Sequence, residues 1–251
     1  MISVILHGAL GHMGKVVDEI ISATEGIEIV AGVDIAESSD RPYPIYAGFD
    51  KCTEKADAII DFSTAGAVDV MVAYGVERNI PMVICTTGLS EAQIAMIEEA
   101  SKKVAILRSA NMSLGINLLV KLLKTAESVL EPAGFDAEIY EMHHRRKLDA
   151  PSGTALMLAE AVNEAAGGDL AIVTDRSDRH EQRPKKEIGV SALRGGTVVG
   201  IHDVVFAGQD EVIEIKHTAY SRAIFAKGAV SAALFLGGKE PGLYDMSDVI
   251  G

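Results

Sequence analysis

Through about residue 110 the chain repeats one pattern: a short unbroken aliphatic run, a glycine or polar turn, then apolar residues at helical spacing. The opening ISVILHGALGHMGKVVDEII shows it whole. The run ends near His7, glycines stand at 8, 11 and 14, and Val16, Val17, Ile20 and Ile21 follow at helical spacing. IEIVAGVDI and ADAIIDFS read as the second and third strands, separated by a loop over 36–49 that carries Pro42 and Pro44. A helix over about 67–78 leads to a fourth strand in PMVICTTG. SEAQIAMIEEASKK reads as a helix with Ser90 as N-cap, and VAILRSANMS as a fifth strand with its exit loop. Strands that are aliphatic almost throughout are buried on both faces, so this half predicts a parallel sheet with helices on each side.

The pattern then changes. A long helix, SLGINLLVKLLKTAESVLE, is followed by the strand FDAEIYEMHH, the helix TALMLAEAVNEAAG and the polar segment TDRSDRHEQRPKKE. Three strands come next, IGVSALRG, VVGIHDVVFAG and DEVIEIKHTA, whose alternating polar residues predict antiparallel pairing with one exposed face. SRAIFAKGAVSAALFLGG is too apolar for a surface helix and is expected to pack back on the first core. The expected fold class is α/β, with a parallel-sheet domain of residues 1–113 and 218–251. Residues 114–217 are expected to form a second, α+β domain with a mixed, largely antiparallel sheet.

Composition narrows the field. The 251 residues, 48% of them apolar, suffice for one or two sizeable cores. A net charge of -13, from 36 acidic and 23 basic residues, repels nucleic acid and anionic membranes, so an anionic ligand must be gripped locally. The longest apolar stretch, GAVSAALFLGG, is shorter than the roughly 18 residues a membrane span needs. Cys52 and Cys85 suggest neither a disulfide framework nor a thiolate zinc site. With no basic-then-apolar leader at the start, the expected compartment is the cytoplasm.

Two stretches carry candidate chemistry. HGALGHMG has GxxGxxG spacing directly after the first strand, where backbone without Cβ can approach a pyrophosphate and the next helix offers its N-H groups. Asp34, at the end of the second strand, is placed to accept hydrogen bonds from an adenosine ribose. The same carboxylate would repel a ribose 2'-phosphate, which favours NADH over NADPH; Arg41, the nearest basic side chain downstream, softens that preference. Glycine turns also occur without ligands, and an acidic strand end can be a simple loop cap, but the position of both features favours a nucleotide.

The second stretch is EMHHRRKLDAPSGTA, residues 141–155. Pro151 makes it a strand-to-loop transition rather than a helix, and Gly153 and Thr154 begin the next helix, with Ser152 or Thr154 as cap. Cationic side chains facing a helix N-terminus form a local anion trap in an otherwise acidic protein. An imidazole can exchange a proton near neutrality, and a neighbouring ammonium can stabilise developing negative charge. Zinc is a poor reading, because His143 and His144 are adjacent and no third ligand accompanies them. The basic cluster from Arg176 to Lys186 is interspersed with acids and carries no such signal.

These motifs resemble the dihydrodipicolinate reductase family of bacterial lysine biosynthesis over essentially the whole chain. HGALGHMG, DFS, TTG, SANMSLGIN, EMHHRRKLDAPSGTA and SRAIFAKGA carry the resemblance. It implies a Rossmann-type nucleotide-binding domain, an intervening domain for substrate binding and homotetramer formation, and a last segment that returns to the first domain. It implies that His143 is the general acid and base, that Lys147 is a second proton donor, that His144 contacts substrate, and that Gly153 and Thr154 grip a substrate carboxylate. On the cofactor side it implies a pyrophosphate turn of Gly8, Ala9, Leu10, Gly11, His12 and Met13, with Asp34 at the ribose. Cys85, Thr86 and Thr87, with Ser109, Ala110, Asn111 and Met112, would line the nicotinamide, and Arg222 would stand near the domain seam. The cofactor is NADH or NADPH, and no metal is implied.

Two positions depart from the family. Cys85 replaces a usual glycine, from which altered packing is expected. His12 replaces a common arginine and removes a permanent charge near the cofactor phosphates. The implied reaction converts (2S,4S)-4-hydroxy-2,3,4,5-tetrahydrodipicolinate to (S)-2,3,4,5-tetrahydrodipicolinate by loss of water and hydride transfer. A nucleotide-sensing regulator would keep the first domain without a proton-active loop, and a related dehydrogenase of another amino-acid-derived anion would differ in substrate dependence.

Overall fold

In the computed structural model, which describes residues 1–251, every aliphatic run of the first half is a strand. The elements are β1 (Ile2–His7), α1 (His12–Ser22), β2 (Ile27–Val33), β3 (Ile45–Tyr46), β4 (Ala58–Asp61), α2 (Ala65–Arg78), β5 (Met82–Ile84), α3 (Glu91–Ser101) and β6 (Ala105–Arg108). There follow α4 (Leu114–Leu130), β7 (Asp136–His143), α5 (Gly153–Ala165), β8 (Ala171–Val173), β9 (Glu187–Arg194), β10 (Gly200–Ala207) and β11 (Val212–Ala219). The chain ends with α6 (Ala223–Leu236), β12 (Gly242–Tyr244) and α7 (Met246–Ile250). Contacts divide these into two units, Met1–Leu114 with Ala223–Gly251, and Gly115–Arg222.

The first unit is built on a seven-stranded sheet ordered β12-β6-β5-β4-β1-β2-β3, parallel throughout. Its central strands are buried on both faces. Val4 and Leu6 of β1 join Ile60, Leu107 and the α1 and α6 residues Val17, Ala229 and Leu236 in one core. Ile5 points the other way, into a core with Ile59, Ile84 and Ile106 and the α2 and α3 residues Met71 and Ile97. The apolar helix α6 therefore lies in the first core. Ser90 caps α3 by accepting from the Gln93 N-H, and the Gln93 side chain returns to the Ser90 N-H, a reciprocal pairing that satisfies two otherwise orphan donors. The 36–49 loop contains the short strand β3, which adds to the sheet edge beside β2.

The second unit holds a five-stranded sheet ordered β11-β10-β7-β9-β8. β10 pairs antiparallel with β11 and β7, but β7 with β9 and β9 with β8 are parallel. The sheet is mixed as expected, its two longest ladders antiparallel and the β7, β9 and β8 side parallel. The parallel side arises because α5 carries the chain across between β7 and β8, and residues 174–186 carry it back again before β9, so that both strands run in the direction of β7. Ile139, Val190, Val204 and Phe206 of the sheet pack against Leu119 and Leu123 of α4 and Leu158 and Val162 of α5. β11 runs on to Ala219, paired with Gly200, so the second unit extends to Arg222, beyond the residue-217 boundary expected from the pattern.

The basic cluster after β8 folds onto the sheet. Arg176 makes a bidentate pair with Glu138 at 2.8 and 2.6 Å, Arg183 reaches Glu138 and Asp136 at 2.7 Å, and Arg179 reaches the buried Glu187 at 2.5 Å. No helix is long and apolar enough to cross a membrane.

Candidate active site

Strand order reverses around β1, which leaves β2 and β3 on one side and β4, β5 and β6 on the other. In open parallel sheets ligands bind beyond the carboxyl ends of the strands at such a reversal. A cleft of about 390 Å³ opens here, bordered by Gly8, Gly11, Asp34, Phe62, Ser63 and Thr64 among others. Gly8 has φ +80°, and a Cβ on it would lie 2.6 Å from the Phe62 carbonyl oxygen, so only glycine fits. Gly11 is the N-cap of α1 and offers no side-chain cap, which leaves first-turn N-H groups and the positive helix end for an anion. The exposed His12 and half-buried Met13 open this helix, and the buried Ala9 contributes backbone alone. These features fit a dinucleotide pyrophosphate.

Asp34 fastens the same turn. Its Oδ2 accepts from the Leu10 N-H at 2.8 Å and its Oδ1 from the Ile35 N-H at 2.7 Å, yet each oxygen has a second lone pair for a ribose hydroxyl. Arg41 is paired with the buried Asp18 of α1. Beneath Gly8, His7 and Asp61 sit at paired positions of β1 and β4 with Nδ1 2.9 Å from Oδ1. Burial raises the Asp61 carboxyl, but the adjacent His7 ring and the bond from the Ser63 N-H outweigh it and hold the pKa below its ordinary value.

Cys85 packs against the first core, and burial, then the Asp61 charge, pushes its thiol well above the usual range. It is a protonated packing group. Thr86 is buried and Thr87 exposed. In the next loop, the Ser109 hydroxyl donates to the Asn111 carbonyl at 3.0 Å, and the Ser113 N-H donates to Asn111 Oδ1 at 2.9 Å. Ala110 is exposed and Met112 buried. Gly228 of α6 lies against this loop so closely that a Cβ there would overlap the Met112 carbonyl oxygen at 1.6 Å.

In the second unit, β7 ends at His143, and His144–Ser152 form the loop before α5. Ser152 Oγ caps α5 by accepting from the Ala155 N-H at 3.1 Å, so the exposed Gly153 and half-buried Thr154 stand in the first turn. Lys147 Nζ lies 2.9 Å from Asp149 Oδ2, and its ammonium lowers the Asp149 carboxyl. His143 is 8% exposed. Burial lowers its pKa, the hydrogen bond and charge of Glu141 raise it, and Lys147 and Arg194 lower it, for a net value below the ordinary 6.5. Across β10, His202 stands edge-on to His143 at 5.1 Å between ring centroids and contacts Ser152 Oγ through Nε2 at 3.0 Å. Burial, then His143, pushes His202 down to about 4, so it is neutral near pH 7.

The structure thus gathers His143, His144, Lys147, Gly153 and Thr154 in one unit, and the expected nucleotide residues at the strand ends of the other. Arg222 is exposed and is the last residue of the second unit. Glu141, Arg194, His202, Gly200 and Asp61 were not anticipated. One signal was present: Ala137 and Ile139 face the core, and the same alternation carries Glu141 and His143 inward behind them.

A glycine turn that fits a dinucleotide in one unit, and a histidine- and lysine-bearing loop before a capped helix in the other, are the arrangement expected of an oxidoreductase that uses a nicotinamide cofactor. Residues 2–112 match the sequence model "Dihydrodipicolinate reductase, N-terminus" and residues 115–250 match "Dihydrodipicolinate reductase, C-terminus". The chain belongs to the dihydrodipicolinate reductase family and is an NAD(P)H-dependent reductase of lysine biosynthesis. It is 50% identical over 250 residues to the 4-hydroxy-tetrahydrodipicolinate reductase of Caldanaerobacter subterraneus subsp. tengcongensis, covering 100% of this chain and 98% of that one. The Clostridium novyi protein of the same name is 44% identical, with the same coverage. The solved structure "Dipicolinate bound Dihydrodipicolinate reductase" from Paenisporosarcina sp. TG-14 shares the fold, with a TM-score of 0.84 at 23% identity and 100% coverage of both chains.

Proposed function

We propose that this chain reduces (2S,4S)-4-hydroxy-2,3,4,5-tetrahydrodipicolinate to (S)-2,3,4,5-tetrahydrodipicolinate with loss of water, through residues His143, Lys147, His144, Gly153 and Thr154. The observation that carries the reading is the placement of a buried histidine and a lysine loop next to a capped helix N-terminus. The α5 first turn, with the Thr154 hydroxyl, holds one carboxylate of the substrate, and His144 makes a further contact. His143, aided by Lys147, supplies the proton that the reduced ring takes up. Dipicolinate in the Paenisporosarcina structure is a dicarboxylate of the same ring class, which supports this choice of substrate.

The turn from Gly8 to Met13 would hold the pyrophosphate, Asp34 the adenosine ribose, and the loops at 85–87 and 109–112 the nicotinamide. The bound cofactor supplies the hydride. Asp34 and the engagement of Arg41 by Asp18 both favour NADH over NADPH. The remaining assignments are a homotetramer, a cytoplasmic location, and a place for Arg222 at the seam between the nucleotide and substrate domains.

The test follows nicotinamide absorbance with substrate made in situ from pyruvate and aspartate semialdehyde. Faster oxidation of NADH than of NADPH at equal subsaturating concentration supports both the reaction and the role of Asp34. Dominant NADPH oxidation keeps the reaction and overturns the preference. Lys147→Ala is expected to lower turnover sharply, and wild-type turnover in that variant removes its proton-donating role.

A further inference from the structure

We infer that Glu141 is a positioning residue that holds His143 in one tautomer and fastens it to the turn that grips the substrate carboxylate. This deepens the proposed function and rests on His143 as the proton-handling group. Glu141 has no solvent exposure. Its Oε2 lies 2.6 Å from His143 Nδ1 and accepts from Arg194 Nη1 at 2.8 Å. Its Oε1 accepts from Arg194 Nη2 at 2.7 Å and from the Ser152 N-H at 2.9 Å.

An ionised carboxylate only accepts, and the bidentate Arg194 favours the ionised form. Burial alone would raise the Glu141 carboxyl, but its bonds from Arg194, His143 and Ser152 hold it below its ordinary value. The His143 Nδ1 therefore carries the hydrogen in that bond. Nε2 is left as the atom that gains and loses a proton during turnover. The position beyond it is open because residue 200 is glycine, where a Cβ would lie 3.1 Å from Nε2. Ser152, held by the other oxygen of Glu141, is the cap of α5. One carboxylate thus sets both the ring that delivers the proton and the helix turn that holds the anion.

The groups facing His143 are Glu141 on its own strand, Lys147 in the following loop, Arg194 on β9 and His202 on β10. Glu141 raises the affinity of His143 for its proton, and Arg194 lowers it. Removing them one at a time must therefore shift the titration in opposite directions.

The first measurement is made on the wild-type protein, labelled with nitrogen-15 in its histidines and assigned by comparison with His143→Gln. Above the titration, the imidazole nitrogen shifts of His143 are expected to show a protonated Nδ1 and a bare Nε2; the reverse tautomer overturns the inference. The second is the pH profile of kcat. Its basic limb is expected to move to lower pH by about one unit in Glu141→Gln and to higher pH in Arg194→Gln, since a charge this close shifts a pKa by roughly one to three units. Limbs that stay in place, or move in the same direction, overturn the inference, as a merely structural loss would leave them unmoved. If either variant fails to fold, the wild-type tautomer decides. Wild-type turnover in His143→Gln would overturn the proton role of His143 itself, whichever tautomer is seen.

Discussion

His7 and His143 are buried to nearly the same degree, 5% and 8% exposed, and each has Nδ1 close to a carboxylate, 2.9 Å from Asp61 and 2.6 Å from Glu141. Their surroundings differ. Asp61 stands across from His7 on the neighbouring strand and also accepts from the Ser63 N-H at 3.0 Å, while the ring of Phe49 closes edge-on over the imidazole at 4.9 Å between centroids. Glu141 lies on the same strand as His143, has Arg194 bound to both oxygens, and leaves the far nitrogen facing a glycine. The same two groups make a clasp between strands in one unit. With a cation fixing the charge of the carboxylate and the second nitrogen left open, they form in the other the pair proposed to handle the proton.

The comparison is broken most directly by replacing each histidine. His143→Gln is expected to lower kcat by about 10² to 10⁴-fold, the usual range for a lost general acid or base, with NADH affinity unchanged in a fluorescence titration. His7→Gln is expected to weaken NADH binding, through the Gly8 turn, more than it lowers kcat. An equal loss of kcat in both variants would remove the distinction.

The opening at Gly200 gives a smaller effect. Its backbone does not occupy the left-handed region, so alanine is tolerated conformationally. The added Cβ, 3.1 Å from Nε2, must displace the His143 ring. Gly200→Ala is expected to lower kcat by about 10 to 10²-fold, as small misplacements of a reacting group do, with an unaltered melting curve by circular dichroism. Full activity in that variant would show that the space beyond Nε2 is not used.

How much of this was legible follows from what periodicity reports. The strands β1, β4 and β5 are buried on both faces, and their aliphatic runs told both their existence and their parallel pairing. In β9 four buried residues are followed by exposed ones from Ser191 to Leu193, but neither burial nor exposure encodes direction, and the strand proved parallel to β7. β8 and β12 have three residues each, too few for any period to register. At the candidate site, His143, Lys147, Gly153 and Thr154 stand together in one motif. Arg194 is 53 residues from Glu141, and only the register that places it beside His143 makes the pair visible. Asp61 was readable as a strand end, but its partner His7 required the β1 and β4 alignment.

The clasp itself predicts a stability effect rather than a catalytic one. Asp61→Asn is expected to cost about 1 to 3 kcal/mol in urea unfolding at neutral pH, because it removes the charge beside the buried His7 and weakens the bond accepted from the Ser63 N-H. The Asp61 carboxyl is held below its ordinary 3.8, so its contribution is present above that value and is lost as pH falls through the lower folded value. The gap between wild type and variant should close in acid. A gap independent of pH would mean that the carboxylate charge is not what the clasp uses.

A third buried carboxylate supplies the control for both pairs. Glu127 of α4 is 3% exposed and has neither a histidine nor a cation beside it. Burial, with a smaller contribution from the Glu131 charge, pushes its pKa up to about 7. Between its ordinary 4.5 and that value the folded state binds more protons than the unfolded state, so this contribution to stability is full below pH 4.5 and falls as pH rises toward 7. The change is on the order of 2 kcal/mol. Glu127→Gln removes the titration, so its urea midpoint should fall less than that of the wild type between pH 5 and pH 8, with kcat unchanged at both. Parallel midpoints in the two proteins would show that Glu127 is ionised at no cost. That would weaken the argument that Arg194, and not burial, decides the charge of Glu141.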